Sequence, residues 1–457
     1  MEINTAIVAG TGKSGISATN LLIKHGVKVY LFDENKERDI EAIKEKTGQS
    51  ELVNIVLGEL SGEALESAQL MVISPGIPVD APFADIVRNA GIPVWSEIEL
   101  AYHYGKGSIA AITGTNGKTT TTALVGEIVK AYNDKTIVVG NIGIPYTELC
   151  DTTDEASATV AEISSFQLET IIDFHPHVSA VLNLTPDHLN RHYTFENYGN
   201  VKFSITKNQT MDDVAVFNFD DEHTRRMGKE ANDKCRVVYF SRLEKPAGGV
   251  YVDNGHIILE DGQEKKDVLE LKDLKLLGAH NVENVLAAVA ISYYMGVPVP
   301  VIRDVATSFK AVEHRIEYVD TIDGVAYYND SKGTNPDAAI KGIQAMVAPT
   351  YLIGGGYDKG STYDEWIESF DGKVKELVLI GQTAQKIADC AKRHGFNSIV
   401  LEENLADAVA HCHDVASDGD AVLLSPACAS WGQFANYEER GRKFKEYVRS
   451  YKKADNN

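Results

Sequence analysis

Nowhere in this sequence does an uncharged apolar run approach the roughly 18 residues a membrane span needs, so bilayer insertion is set aside. Positive charge is also short. Lys and Arg number 44 against 66 Asp and Glu, and the net charge of −22 repels polyanions, which argues against a nucleic-acid partner. Local phosphate binding survives that sign, because loops and helix ends present backbone N–H groups whatever the net charge. Cysteine is sparse: Cys150, Cys235, Cys390, Cys412 and Cys428 are scattered, odd in number and form no C-x-x-C pair. That excludes a disulfide framework and favours a reduced, cytoplasmic setting. The opening MEINTAIVAGTGKSG has no basic stretch before its short apolar run, which reads as a strand and not a signal peptide. Short repeats and low-complexity tracts are missing as well.

Core material is present in quantity. At 457 residues and 44% apolar content, the chain suits about three domains of 100–200 residues. The first hundred residues alternate strand and helix, with strands at 5–9, 27–32 and 70–73, which argues a parallel, doubly wound sheet. A second unit starts near Ile98, with strands at 136–139, 158–161 and 178–182 and polar hairpins over about 241–275 at its edge. A third begins near Val312, its clearest strands at 350–353, 377–380 and 421–424. The expected division is 1–97, 98–311 and 312–457, with hinges near 97 and 311.

Chemistry concentrates in a few loops. Gly10-Thr-Gly12-Lys-Ser-Gly15 follows the first strand and opens a helix, and Asp33 ends the second strand near the spacing of a ribose-binding acid. This fits a diphosphate ligand, either a nicotinamide dinucleotide or another nucleotide, or else a tight turn that merely packs a helix. Gly114-Thr-Asn-Gly117-Lys118-Thr119-Thr120 is the stronger signal: strand, glycine loop, helix, with Gly-Lys-Thr in register with the helix start. Two residues separate the glycines where the usual phosphate loop has four. Lys118 suits β/γ-phosphate oxygens and Thr119 suits Mg²⁺. Glu162 and His188 follow the next strands, on the ligand edge of an open parallel sheet, although a satisfied loop histidine explains His188 equally well. The pairs His175/His177 and His411/His413 lack a third metal ligand nearby in sequence. Arg315, Lys332 and Lys359 are cations suited to phosphate or carboxylate. Cys428 reads as a small packing residue unless the fold brings a histidine to it.

GTNGKT, GNIG (140–143), EISSFQLE (162–169), TPDH, GAHNVEN (278–284), EHRIE, NDSKGTN, GGYDKG and SPACASWGQFANYEERG run through the whole chain. In that order they resemble the ATP-dependent Mur ligases, which build the peptide stem of bacterial peptidoglycan. The GTHGKT and DNPR signatures of neighbouring ligases are absent, the glycine loop 114–119 reads GTNGKT and is not of the GKGS type, and the resemblance is to the D-glutamate-adding branch. It implies three α/β domains: an N-terminal Rossmann-like domain for UDP, a central P-loop ATPase-like parallel sheet, and a C-terminal Rossmann-like domain for the amino acid.

By the same resemblance Ser14, Asp33 and Gly76 contact UDP, and Asn141 and His188 face the sugar-nucleotide substrate. Gly114, Thr115, Asn116, Gly117, Lys118, Thr119, Thr120, Asn281, Arg315 and Asp330 bind ATP. Thr119, Glu162, His188 and a carbamylated Lys202 hold two Mg²⁺ ions, and Lys118, His188 and Lys202 are catalytic. Lys332, Thr334, Lys359, Ser430 and Tyr437 grip D-glutamate. Lys13 and Glu34 stand where the family has an aliphatic residue and a threonine, and Tyr437 where phenylalanine is common. From its own spacing Lys202 reads as an ordinary solvated helix lysine. The substrates implied are UDP-N-acetylmuramoyl-L-alanine, D-glutamate and ATP, handled by a cytoplasmic monomer. The rival readings are a nicotinamide oxidoreductase, a nucleotide-cycling switch and a sister ligase with another amino acid. A switch would carry the Asn-Lys-x-Asp guanine signature, which is absent.

Overall fold

Residues 3–141, 143–310 and 313–454 are described by a computed structural model. The expected boundary and hinge at 311 lie outside the described residues. Three sheets are present. The first comprises β1 (Thr5–Ala9), β2 (Lys28–Asp33), β3 (Val53–Leu57), β4 (Leu70–Ile73) and β5 (Val94–Ser96), all parallel, in the order β3-β2-β1-β4-β5. This is a doubly wound order whose direction reverses between β1 and β4, the place where such sheets open a crevice for ligand. Gly15 sits in the helix Lys13–Lys24, and a Cβ there would lie 1.8 Å from the Gly10 carbonyl oxygen. The glycine therefore lets the helix start close against the β1 loop.

The second sheet contains β6 (Ser108–Thr113), β7 (Thr136–Gly140), β8 (Ala158–Glu162), β9 (Val178–Val181), β10 (Val214–Asn218), β11 (Arg236–Ser241), β12 (Gly249–Asp253), β13 (His256–Asp261) and β14 (Glu264–Glu270). Its order is β14-β13-β12-β11-β10-β9-β6-β8-β7, parallel from β7 to β12 and antiparallel across β12–β14. The polar stretch expected to form edge hairpins does so. β6 is central and buried on both faces, which is why its sequence, SIAAIT, is small and apolar without alternation.

The third sheet has β15 (Glu317–Ile322), β16 (Val325–Asn329), β17 (Thr350–Gly355), β18 (Val374–Ile380), β19 (Ile399–Leu401) and β20 (Ala421–Leu424), in the order β15-β16-β20-β17-β18-β19. Only the β15–β16 edge pair is antiparallel. The chain is thus α/β throughout, built on three mainly parallel sheets. Among the described residues no helix is long and apolar enough to cross a membrane.

Two compact units result: Met1–Asp273 with Glu283–Thr307, and Leu274–Val282 with Ser308–Asn457. Within the first unit one apolar cluster runs through both sheets, from Val8 and Leu31 through Ile98 and Leu100 to Val139 and Phe217. Residue 97 is consequently no loose joint. The Glu97 carboxylate is buried and accepts the Thr147 N–H at 2.7 Å and its hydroxyl at 2.9 Å. Glu99, in the same first turn of the helix, accepts three backbone N–H groups, from Ile172, Asp173 and Phe174.

Candidate nucleotide and ligation site

Along the carboxyl ends of β1, β2 and β4 lies a cleft of about 430 Å³ whose lining includes Ser14, Asp33, Gly76, Asn141 and Gln167. Four of the five residues expected to contact the sugar nucleotide therefore share one surface; His188 is not among its lining residues. Asp33 organises the glycine loop. Its Oδ2 accepts the Thr11 hydroxyl at 2.6 Å and the Thr11 N–H at 3.2 Å, and pairs with Arg38 Nε at 3.1 Å. Burial alone would raise its pKa, but these donors, with the Asn35 N–H, outweigh burial and hold the carboxyl below its usual range. The departing residue Lys13 also lines the cleft, and its Nζ donates to the Gly143 carbonyl at 2.5 Å.

Asn141 joins this cleft to the end of β8, beside the glycine loop 114–117. Its amide Nδ2 donates to Glu162 Oε1 at 3.0 Å and its N–H to the Glu162 carbonyl at 2.8 Å. Glu162 ends β8 and is 2% exposed. The loop itself, 114–117, turns through two glycines with positive φ, 150° at Gly114 and 85° at Gly117. Gly117 caps the helix Lys118–Tyr132, and a Cβ on it would lie 2.3 Å from Asn284 Oδ1. The far side of the loop is fastened by Asn183: its Oδ1 accepts the Asn116 N–H at 2.8 Å and its Nδ2 donates to the Asn116 carbonyl at 3.0 Å. Thr115 Oγ1 lies 3.1 Å from both the Thr185 carbonyl and the Tyr198 hydroxyl.

Two lysines converge on this loop. Lys118 Nζ donates to the carbonyls of Gly114 (2.8 Å) and Thr115 (2.9 Å), and Lys202 Nζ donates to the same Gly114 carbonyl at 2.9 Å. The expectation of a solvated Lys202 is therefore wrong: it is 1% exposed, on the buried side of the helix Phe195–Phe203. That helix is only nine residues long and weakly amphipathic in sequence, so its facing was not readable. Burial drives the Lys202 pKa well below the ordinary lysine value and the Lys118 ammonium pushes it further, against the carboxylates of Asp187 and Glu162. His188 packs its ring on Phe166 at 4.8 Å between centroids.

The second unit gathers its own polar cluster. Asp330 is fully buried, accepts the Ser425 hydroxyl at 2.8 Å and lies 3.5 Å from Arg315 Nη1. Burial raises its pKa to about 6, and Arg315 and the Ser425 hydroxyl only partly oppose that. Thr334 donates its N–H to the Lys332 carbonyl at 2.9 Å, and Lys332 Nζ sits 5.6 Å from the Tyr437 ring centre. Ser430 is buried, whereas Lys359 is exposed. The Tyr357–Ala429 bridge brings their two loops side by side. Asn281 Nδ2 donates to the Leu277 carbonyl at 2.7 Å.

Several structural anchors had no sequence signal. Arg440 is 1% exposed and donates to Ser331 Oγ, Ser331 O and Cys428 O, tying the NDSKGTN and SPACAS loops together. Burial pulls its pKa down to about 10. Arg191, Glu169 and His192 form another cluster beside His188. Cys428 meets the hydroxyls of Tyr363 and Thr383, both 3.2 Å away, and burial raises its thiol pKa, so it is a packing residue. His175 and His177 both turn to Asp213, His411 pairs with Glu376, and His413 stacks on Tyr451.

Profiles of three domains match in chain order: the Mur ligase MurD-like N-terminal domain over residues 4–96, the Mur ligase middle domain over 112–292, and the Mur ligase glutamate ligase domain over 314–428. The UDP-N-acetylmuramoylalanine--D-glutamate ligase of Lachnospira eligens is 55% identical over 98% of this chain and 99% of its own. The enzymes of that name from Lachnoclostridium phytofermentans and Clostridioides difficile are 51% and 45% identical, each over 98% of both chains. Among solved structures, UDP-N-acetylmuramate-alanine ligase from Thermotoga maritima superposes with a TM-score of 0.61 at 19% identity, covering 98% of this chain and 100% of that one. At that identity it speaks for the fold alone. Domain order, full-length identity and the site's construction agree, and the chain belongs to the Mur ligase family.

Proposed function

We propose that this chain is an ATP-dependent ligase that joins D-glutamate to UDP-N-acetylmuramoyl-L-alanine, releasing ADP and phosphate. The single observation that carries this is Asn141, which lines the sugar-nucleotide cleft and also holds Glu162 beside the phosphate loop. A substrate lying in that cleft has its far end directed at the loop, where its L-alanyl carboxylate attacks the γ-phosphorus of ATP. The acyl phosphate so formed is attacked at its carbonyl carbon by the amine of D-glutamate, and phosphate departs from the tetrahedral intermediate. The relatives' printed names support this substrate pair.

A carboxylate and a triphosphate repel each other, so the loop must concentrate positive charge at fixed points. Lys118 is already folded over the loop carbonyls, and with the backbone N–H groups at the helix start, 117–120, it forms the phosphate cradle. The donor set fits Mg²⁺: Glu162 is a buried carboxylate, Thr119 a hydroxyl at the helix start, and both are hard oxygen ligands. His188 and a carbamate on Lys202 would complete two such sites. The metal supplies Lewis-acid polarisation of the phosphoryl oxygens. Arg315, Asp330 and Asn281 serve the nucleotide; Lys332, Thr334, Lys359, Ser430 and Tyr437 serve the amino acid. The domain division 1–97, 98–311 and 312–457, the cytoplasmic setting and the monomeric state belong to the same reading.

Phosphate release with ATP, Mg²⁺ and UDP-N-acetylmuramoyl-L-alanine across a panel of D- and L-amino acids tests it. Turnover is expected with D-glutamate; turnover with L-lysine or diaminopimelate instead would overturn the substrate assignment. A change in absorbance on titrating NADH would revive the oxidoreductase reading.

The raised Asp330 pKa gives a pH expectation. Above about 6 the carboxylate is charged and faces Arg315; below it the folded protein takes up a proton and the guanidinium loses its partner. kcat/KM for ATP should therefore fall on the acid side with a midpoint near pH 6. The Asp330→Asn variant should show a lower plateau without that limb. Because the folded pKa exceeds the unfolded one, Asp330 destabilises the fold above about pH 6, and that penalty disappears as pH falls toward the unfolded value of 3.8.

A further inference from the structure

We propose that Arg191 is a positioning residue: it fixes the His188 ring through Phe166 and ties that ring to the rim of the sugar-nucleotide cleft. The proposal rests on His188 serving the ligation reaction as read above. The segment Leu189–His192 is a single helical turn between two non-glycine residues with positive φ, His188 at 52° and Tyr193 at 65°. One turn carries almost no stability of its own, and left-handed backbone at two side-chain-bearing residues persists only where surrounding contacts impose it.

Arg191 supplies those contacts. Its Nε and Nη2 pair with the two oxygens of Glu169 at 3.2 and 2.5 Å, and Nη2 also donates to the Ile77 carbonyl at 2.8 Å. Ile77 lines the cleft. The guanidinium and carboxylate are 11% and 8% exposed, so the pair is largely removed from water. The guanidinium carbon lies 4.9 Å from the Phe166 ring centre, and the His188 ring packs on the same phenylalanine at 4.8 Å. Phe166 thus transmits the position of Arg191 to His188. A second tie runs from the Tyr193 hydroxyl to Asp80, three residues along the chain from Ile77. The planar fork bonds Glu169 and Ile77 together while stacking on a ring, a combination an ammonium group cannot reproduce.

The test compares Arg191→Met, Arg191→Lys, Phe166→Leu and the Phe166→Leu/Arg191→Met double variant, with His188→Ala as reference, all in the full chain. Displacing a positioned group costs about 100-fold in rate, so kcat is expected to fall by about that factor in R191M and by less in R191K. KM for the sugar nucleotide should rise while KM for ATP stays put, a split that the lower stability of a chain whose buried Glu169 has lost its partner does not by itself produce. The double variant should be no worse than the poorer single one, because both changes break the same chain of contacts. The ¹⁵N-histidine spectrum of R191M should show the His188 resonance shifted or broadened. Near-normal kcat in R191M beside an inactive H188A would overturn the proposal alone, as would fully multiplicative losses in the double variant. Full activity in H188A would overturn the reading of the site and the proposal with it.

Discussion

Replacing Lys118 by alanine is expected to lower kcat by more than about 1000-fold, a larger loss than one missing donor usually causes. The excess comes from the second lysine. Lys118 and Lys202 donate to one carbonyl, that of Gly114, and the Lys118 charge is the next cause after burial of the depressed Lys202 pKa. Removing Lys118 takes away the phosphate's counter-charge and also one of the causes that hold the Lys202 pKa down. A protonated amine is not a nucleophile toward CO₂, so raising the Lys202 pKa makes a carbamate there less favourable as the cradle is lost. Lys118→Arg separates the two effects. It keeps a cation beside Lys202 but replaces a compact ammonium by a planar fork, and it should retain more activity than K118A. Phosphate release measured for both variants at saturating ATP decides this; K118A within tenfold of the parent would remove the loop from the mechanism.

Much of this was legible because local rules and tertiary structure agree at the loops. The phosphate loop was readable because Gly114 and Gly117 need positive φ and the lysine must open a helix, constraints written within six consecutive residues. The first cleft was readable for the same reason: Gly10, Gly15 and Asp33 answer to one turn and one strand end. What stayed hidden depends on residues far apart in the chain. Asn183 fastens a loop 67 residues earlier, and Arg440 joins segments 109 and 12 residues away. Neither residue type at its position departs from what a solvated loop or helix would carry. Strands such as β3 and β19 escaped because they are short edge strands of mixed burial, with little apolar pattern to find. Lys202 is the sharpest case. Only the burial of its helix against the loop turns an ordinary lysine into one whose pKa is held well below the usual lysine value.

That amine sets the last expectation. Lys202→Met and Lys202→Arg should each lose at least about 100-fold in kcat, for different reasons: methionine has no nitrogen, and arginine stays protonated and forms no carbamate. If the carbamate exists, parent protein equilibrated with ¹³C-bicarbonate should give a carbamate carbon resonance that both variants lack. Stability separates this from misfolding. In the CO₂-free protein the folded Lys202 pKa lies well below its unfolded value of 10.5, so between the two values the unfolded chain binds more proton than the folded one. Lysine at this position therefore costs stability at pH 7, and the cost disappears as pH rises toward 10.5. Methionine, of similar length and apolar, should leave the fold no less stable at pH 7 while abolishing turnover, and its advantage should vanish by about pH 10.5. Chemical denaturation of both proteins at several pH values reads this directly. A Lys202→Met protein that keeps turnover, or a parent spectrum without the carbamate signal, would leave Lys202 as a mere brace for the Gly114 carbonyl.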